Sequence, residues 1–258
     1  MNILITNDDG IHADGILALR AALSEIGEVH VVAPDRQRSA CGHSITLHKP
    51  LRLKEVRLAD GSTGYACSGT PSDCVSLAML GALGVEFDVV VSGINHGPNL
   101  GWDLTYSGTV SAAMEGTVAG LPSVALSVAS YDANVRYETA ARVGAQIVRL
   151  VSEKSLPDGT LVNVNVPGVP DGEIAGVEVT AAGKRTYEGV LEKRRDPMGR
   201  DYYWLGGDVP VDHLVEGTDV YAIAHNRISV TPIHLDLTDR GTLQALGSWG
   251  LESLLTSP

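Results

Sequence analysis

The chain has 258 residues, of which 44% are hydrophobic and 19% charged, and it carries a formal net charge of −12. These proportions are those of a folded globular protein, while the acidic balance argues against a nucleic acid polymer or an anionic membrane surface as the main partner. The sequence also has no run of about 18 apolar residues, so no membrane-spanning helix is expected.

The first 35 residues have the pattern of a βαβ unit. Residues 2–5 (NILI) read as a buried strand, and residues 29–33 (VHVVA) read as a second one. Between them, apolar residues recur at helical spacing, which predicts a helix that Asp14 caps and Gly27 ends. A strand, a helix and a strand in this order predict a parallel pair with a right-handed crossover.

The same alternation continues along the chain. Thr70 followed by Pro71 and Asp73 is a typical helix start, with Thr70 as N-cap and Pro71 in the first helical position. Further elements are expected as strands at 87–93, 123–128 and 161–166 and as helices at 107–120 and 134–153. Residues 1–170 are therefore predicted to form a Rossmann-like, doubly wound, mostly parallel sheet with helices on both faces.

Residues 171–258 follow a different pattern, which we take as a C-terminal part of the same single domain. Residues 184–207 read as two extended arms around a turn at 196–199, and residues 219–233 read as a second hairpin that turns near His225. The first hairpin carries several of the few aromatic residues. It packs either on another subunit or on one end of the sheet as an ordinary β-subdomain.

Polar loops are expected to converge at one edge of the sheet. Ligands of open α/β sheets bind beyond the carboxyl ends of the parallel strands. Four segments lead to that edge: Asn7 to Gly10, residues 34–39, residues 92–101 and residues 105–110. Their convergence follows from the predicted topology.

Asp8 and Asp9 stand side by side at the end of the first strand. Two adjacent carboxylates are costly there unless a cation compensates them. Hard divalent ions such as Mg²⁺ or Mn²⁺ bind carboxylate, amide and hydroxyl oxygens, and Asp8, Asp9, Ser39 and Asn95 supply such a set. In the alternative interpretation, one aspartate caps the turn and the other is solvated.

A helix start at Ser107, Gly108 and Thr109 offers backbone N–H groups and hydroxyls to an anion, although plain N-capping explains the same residues. Arg36 or Arg38 is a further candidate for holding a phosphate or a sugar, on charge and position alone. The loop histidines, among them His43 and His96, receive no catalytic assignment.

The three cysteines, Cys41, Cys67 and Cys74, are odd in number and show no CxxC spacing. Reduced thiols are expected, and a disulfide scaffold is not. No signal-peptide pattern follows Met1. These features predict a cytosolic protein.

Five motifs in order, "MNILITNDDGIHADGI", "APDRQRSACGHSIT", "SGTPSDCV", "SGINHGPNLG" and "YSGTVSAAMEG", resemble the SurE (survival protein E) family of metal-dependent phosphatases acting on nucleoside monophosphates. The resemblance implies one divalent metal ion per subunit, Mg²⁺ or Mn²⁺, on Asp8, Asp9, Ser39 and Asn95. It also implies a homodimer or homotetramer through the C-terminal hairpins. The implied substrates are nucleoside 5′- and 3′-monophosphates and short polyphosphate.

The resemblance further implies that the phosphate is received by the segment Ser107–Thr109 and the loop with Asn95 and Gly97. The resulting hypothesis gives Asp8, Asp9 and Asn95 catalytic roles, with a metal-activated water attacking phosphorus in line and Asp8 orienting or deprotonating that water. The helix start would stabilise the developing charge.

Other functions are open from the residues alone. A covalent phosphatase would use a strand-end aspartate as nucleophile, but its two carboxylates are usually separated by one residue. A nucleotide-binding sensor without turnover would use the same crevice. A dinucleotide-binding dehydrogenase fits poorly because the first turn lacks G-x-G-x-x-G.

Overall fold

A computed structural model describes residues 1–207 and 210–255. The strands are β1 Asn2–Thr6, β2 Glu28–Pro34, β3 Leu53–Arg57, β4 Thr63–Cys67, β5 Val89–His96, β6 Ser123–Ala129, β7 Thr160–Pro167, β8 Gly176–Val179, β9 Lys184–Thr186, β10 Gly189–Arg195, β11 Asp201–Gly207, β12 Val211–His213 and β13 Arg227–His234. The helices are α1 Asp14–Leu23, α2 Pro71–Met79, α3 Gly108–Val118, α4 Glu138–Lys154, α5 Asp219–Ala224 and α6 Arg240–Leu246. Short 3-10 helices span Gly101–Thr105, Asp171–Glu173 and Leu251–Leu255.

In the described part of the chain, the main sheet has the strand order β3-β4-β2-β1-β5-β6-β7-β13-β8. Six neighbouring strands of this sheet run parallel to one another: β4, β2, β1, β5, β6 and β7. Counted along the chain, these parallel strands lie in the order 3-2-1-4-5-6 of dinucleotide-binding folds, and the order reverses between β1 and β5. The predicted Rossmann-like, mostly parallel sheet is confirmed. Beyond residue 170, β13 and β8 extend it, β13 antiparallel to β7.

The side chains of β1 pack against helices on both faces of the sheet. Successive side chains of a strand point to opposite faces. Ile3 and Ile5 pack with Leu19 of α1 and Val148 of α4, whereas Leu4 packs in a separate cluster with residues of α2 and α3. The uninterrupted apolar run is therefore a strand buried on both sides, in the middle of three layers.

Helix α1 begins and ends differently from the prediction. Ala13 is its N-cap without a side-chain hydrogen bond, and Asp14 is the first helical residue, so the predicted capping role of Asp14 is wrong. The start is set by the tight turn at Gly10, whose carbonyl accepts from the Ala13 N–H at 3.1 Å. The helix stops at Leu23, and Gly27 lies in the following turn.

The predicted start of α2 is confirmed. The Thr70 hydroxyl accepts from the Asp73 N–H at 3.0 Å, and Asp73 accepts from the Thr70 N–H at 2.8 Å, which is a complete capping box. Helix α4 begins at Glu138, later than predicted, and buries Val151. No helix within residues 1–207 or 210–255 is long and apolar enough to cross a membrane.

The predicted hairpin around residues 196–199 is confirmed as β10 and β11, with Glu192 opposite Trp204. All side chains of β10 are exposed. The arm predicted from residue 184 is divided, because residues 184–186 form β9 and pair with β12 instead.

The second predicted hairpin, residues 219–233, is wrong in its first arm. Residues 219–224 form α5, and only the second arm is a strand, β13. Thr218 caps α5 by accepting from the Tyr221 N–H at 3.3 Å. The Asp219 carboxylate is held by the N–H groups of Gly101 and Gly183, at 2.8 and 2.7 Å. A threonine cap and this long-range contact select the helix where the apolar pattern alone suits either structure.

Candidate active site

A cavity of about 840 Å³ lies where the strand order reverses, beyond the carboxyl ends of β1 and β5. Ligands of open α/β sheets bind at this position. Six of the residues singled out in the sequence line it together: Asp8, Asp9, Ser39, Asn95, Gly97 and Ser107. The convergence expected from topology is therefore present in the structure.

The loop after β1 is locked by Asn7, which is fully buried. Its amide oxygen accepts from the Gly10 N–H at 3.1 Å, and its amide nitrogen donates to the Gly10 carbonyl at 3.0 Å. Gly10 has φ +105° and packs against the backbone of Arg36, so a side chain is disfavoured there on both grounds. This closed turn fixes the direction of the Asp8 and Asp9 side chains.

Asp8 lies at the floor of the cavity and is 5% exposed. Burial raises the pKa of its carboxyl group to about 6. The hydrogen bond from the Thr109 hydroxyl lowers this pKa, and the neighbouring Asp9 charge raises it. The Thr109 hydroxyl donates to Asp8 Oδ1 at 2.5 Å. An isolated carboxylate in this position is costly in its charged form, which is the condition that a bound cation relieves.

Asp9 and Asn95 face the same cavity from neighbouring strands. Asp9 Oδ2 accepts from the His96 N–H at 3.1 Å, and burial raises the pKa of Asp9 although that hydrogen bond lowers it. The Asn95 amide nitrogen donates to the Gly97 carbonyl at 2.8 Å, which leaves the amide oxygen as the acceptor to be used elsewhere.

Ser39 reaches the cavity on the loop that follows β2. The Arg38 N–H donates to the Asp8 carbonyl at 2.7 Å, which ties this loop to the end of β1. Further along, the N–H and hydroxyl of Thr46 donate to the carboxylate of Asp73 at 2.8 and 2.6 Å. The capping box of α2 thus also anchors the loop that carries Ser39.

The start of α3 lies beside Asp8. A Cβ atom added to Gly108 would lie 2.8 Å from the Asp8 Cβ, so only glycine permits this approach. Ser107 is the N-cap and accepts from the Val110 N–H at 3.1 Å. Ser107 lines the cavity, whereas Thr109 is fully buried and uses its hydroxyl to hold Asp8.

The donor set suits a hard divalent cation. Two carboxylates, one amide oxygen and one hydroxyl line one cavity, and oxygen donors of these kinds are those that Mg²⁺ and Mn²⁺ prefer. Asp8 uses Oδ1 for Thr109 and Asp9 uses Oδ2 for His96, so each carboxylate keeps its other oxygen for a ligand. Within the described ranges, no group of three or more His, Cys, Asp and Glu side chains is placed to share a metal ion.

Arg36, a candidate from the sequence, and His43, which received no assignment, lie elsewhere. Arg36 does not line the cavity, and its guanidinium lies 3.4 Å from the Asp35 carboxylate. His43 pairs with Glu115 at 2.8 Å, away from the cavity, whereas His96 lines it.

The outer part of the cavity is lined by Tyr106, from the segment 105–110 expected at this edge, and by four residues that the sequence did not identify: Asp103, Tyr131, Tyr187 and Leu205. Tyr131 follows β6 at the same edge of the sheet, so the strand-end rule could have found it. Tyr187 and Leu205 come from the C-terminal part, and no local signal connects them to the cavity.

Comparisons with known proteins agree with one another. The family described as "Survival protein SurE" matches residues 3–189. A "5'-nucleotidase SurE" of Geobacter sulfurreducens is 51% identical over 98% of this chain and 95% of its own, and one of Chloroflexus aggregans is 49% identical over 98% of this chain and 100% of its own. The crystal structure of a SurE protein from Aquifex aeolicus superposes with a TM-score of 0.82 at 41% identity, covering 100% of both chains.

Proposed function

Because the chain belongs to the SurE family, we propose that it is a 5′-nucleotidase, which hydrolyses nucleoside 5′-monophosphates to nucleoside and inorganic phosphate. Relatives that are about half identical over nearly the whole chain bear the name 5'-nucleotidase SurE. The observation that carries the proposal is the convergence of Asp8, Asp9, Ser39 and Asn95 in one cavity beside the start of α3.

Asp8, Asp9 and Asn95, together with Ser39, would hold one divalent cation, Mg²⁺ or Mn²⁺. When bound, it neutralises phosphate charge and makes water a stronger nucleophile at neutral pH. The raised pKa values of both aspartates support this, since burial outweighs the interactions that favour their charged forms, and a bound cation would offset that cost.

The residues of the chain then have separable roles. Thr109 holds the Asp8 carboxylate in one orientation, so that Asp8 can align the attacking water and accept its proton. Ser107 and the first turn of α3 receive the phosphate, because backbone N–H groups at a helix start favour an anion. The loop with Asn95 and Gly97 closes the other side of the phosphate.

Substrate range, assembly and location complete the proposal. Nucleoside 3′-monophosphates and short polyphosphate are further substrates.

The exposed hairpin of β10 and β11 joins two or four copies of the chain, since Leu191 and Trp204 are 62% and 59% exposed on it. Leu191→Glu is expected to reduce the mass measured by sedimentation. The three free cysteines support a reducing, cytosolic environment, which cell fractionation would test.

A substrate panel tests the activity. Purified protein with Mn²⁺ is expected to release nucleoside and phosphate in equal amounts from adenosine 5′-monophosphate, and to act on the 3′-monophosphate and tripolyphosphate. Asn95→Ala is expected to lower kcat/KM by at least about 100-fold, because metal ligands and charge-stabilising groups typically contribute this much. Asn134→Ala, an exposed loop asparagine, is the matched control.

Binding without turnover would contradict the proposal. If folded protein bound adenosine 5′-monophosphate tightly and released no phosphate with either metal, a nucleotide sensor would be the better assignment.

A further inference from the structure

We propose that Tyr131 and Tyr187 form a stacking site for the nucleobase at the mouth of the cavity, so that the enzyme recognises nucleotides by the face of the base. The inference rests on the proposed function and deepens it. Tyr131 and Tyr187 are 71% and 56% exposed, whereas Asp8 in the same cavity is 5% exposed. The aromatic rings therefore lie at the entrance and the Asp8 carboxylate at the floor.

The ring of Tyr131 packs on the loop with Asn95 and Gly97, which receives the phosphate in the proposed function. A Cβ atom added to Gly97 would lie 3.2 Å from Cε1 of the Tyr131 ring, so the ring packs directly on the backbone of that loop. Gly97 has φ +114°, a conformation that side chains rarely adopt. The loop that faces the phosphate and the ring that faces the entrance are thus one packed unit.

Tyr187 is fixed although it is exposed. Its hydroxyl donates to Asp103 Oδ2 at 2.5 Å, and the same oxygen accepts from Arg185 Nη1 at 2.7 Å. Arg185 also donates to Asp212 at 2.7 Å, and its side chain is 5% exposed. Burial and the hydrogen bond to Asp103 raise the pKa of Tyr187, to which the neighbouring Tyr131 contributes. A buried arginine between two carboxylates therefore holds this ring in place.

The side chains at the mouth of the cavity indicate which part of a nucleotide binds there. Leu205, Ala40 and Pro98 line the cavity with the tyrosines, so its outer part offers apolar and aromatic surface. Aromatic rings stack on any base, because every base has a π face. A cavity of about 840 Å³ is in the size range of sites that enclose small ligands. The geometry fits a phosphate at the floor and a base against the rings, with purines held better than pyrimidines.

The test compares adenosine 5′-monophosphate with ribose 5-phosphate, which lacks the base. With Mn²⁺, the wild type is expected to prefer the nucleotide in kcat/KM on the order of 10- to 100-fold, the range that base stacking supplies. Tyr187→Leu is expected to remove most of this preference by raising KM for the nucleotide, with a much smaller change in kcat/KM for ribose 5-phosphate. Tyr131→Leu also removes packing from the loop with Gly97, so it is expected to lower kcat/KM for both substrates, and more for the nucleotide. Tyr187→Phe, which keeps the ring, retains more of the preference than Tyr187→Leu.

Trp249→Leu is the matched control, since Trp249 is an aromatic residue that is 68% exposed outside both the cavity and the hairpin of β10 and β11. Equal kcat/KM of the wild type for both substrates would overturn the stacking site and leave the proposed function intact. An equal loss on both substrates in the Tyr187 variant, together with a changed sedimentation mass, would assign the ring to subunit packing and overturn the inference as well. If no phosphate were released from either substrate, the proposed function would fail. Calorimetric titration with adenosine, which carries no phosphate, would then decide on the stacking site alone.

Discussion

Replacing Asp8 with asparagine is expected to stabilise the cation-free protein at neutral pH. Burial raises the pKa of Asp8 from 3.8 to about 6, against the hydrogen bond from Thr109. The folded state therefore binds a proton at Asp8 more tightly than the unfolded state does. The stability that this proton contributes to the folded state is complete below pH 3.8 and is lost as the pH rises through about 6. At about 1.4 kcal/mol per pKa unit, the loss amounts to about 3 kcal/mol of unfolding free energy.

Urea denaturation of chelated wild type and Asp8→Asn between pH 4 and 8 measures this difference. Asparagine keeps an acceptor for Thr109, so the variant is expected to lose less stability than the wild type as the pH rises. Mn²⁺ at 100 times its dissociation constant then adds about 2.7 kcal/mol to the wild type and much less to the variant. Asp158→Asn, an exposed carboxylate away from the cavity, controls for the loss of one charge.

Two results would refute the reasoning. If the stability difference between wild type and Asp8→Asn stayed constant with pH, Asp8 would not carry a burial cost that depends on its charge. If the variant were less stable at every pH and unaffected in its response to Mn²⁺, Asp8 would be a structural residue and no metal ligand.

The packing around the cavity supports three further predictions. Gly108→Ala would bring a Cβ within 2.8 Å of the Asp8 Cβ, which is expected to lower kcat/KM at least tenfold and stability by about 1–3 kcal/mol, as activity and urea assays can measure. Asn7→Ala removes both hydrogen bonds to Gly10 and is expected to cost about 1–3 kcal/mol and to weaken Mn²⁺ binding in calorimetry. Asp73→Ala removes the capping box of α2, which is expected to cost about 0.5–2 kcal/mol and to increase hydrogen exchange in the loop that carries Ser39.

Local signals predicted most of the parallel sheet. The apolar run at residues 2–5 has no polar face, which predicts a strand buried on both sides. Thr70 and Asp73 are three residues apart, which is the spacing that a capping box requires. The crossover rule then brings the ends of β1 and β5 together, which made the shared position of Asp9 and Asn95 predictable.

Long-range contacts account for what the sequence did not predict. Tyr187 and Asp103 are 84 residues apart, and no periodicity relates them. Residues 219–224 alternate in a way that also suits a strand, and the helix is selected by Thr218 and by the buried Asp219, whose partners Gly101 and Gly183 lie in other segments. From the sequence alone the hydroxyl of Thr109 suits a phosphate, and only the structure shows that it donates to Asp8.

Phosphate release from adenosine 5′-monophosphate by chelated protein, before and after Mg²⁺ or Mn²⁺ is restored, decides whether this cavity is a metal-dependent phosphatase site. We expect no release from the chelated wild type, recovery with the metal, and no recovery in Asp8→Asn, while Asp158→Asn behaves as the wild type. Full activity of the chelated protein, or recovery in Asp8→Asn equal to the wild type, would contradict the assignment of this cavity as a metal-dependent phosphatase site.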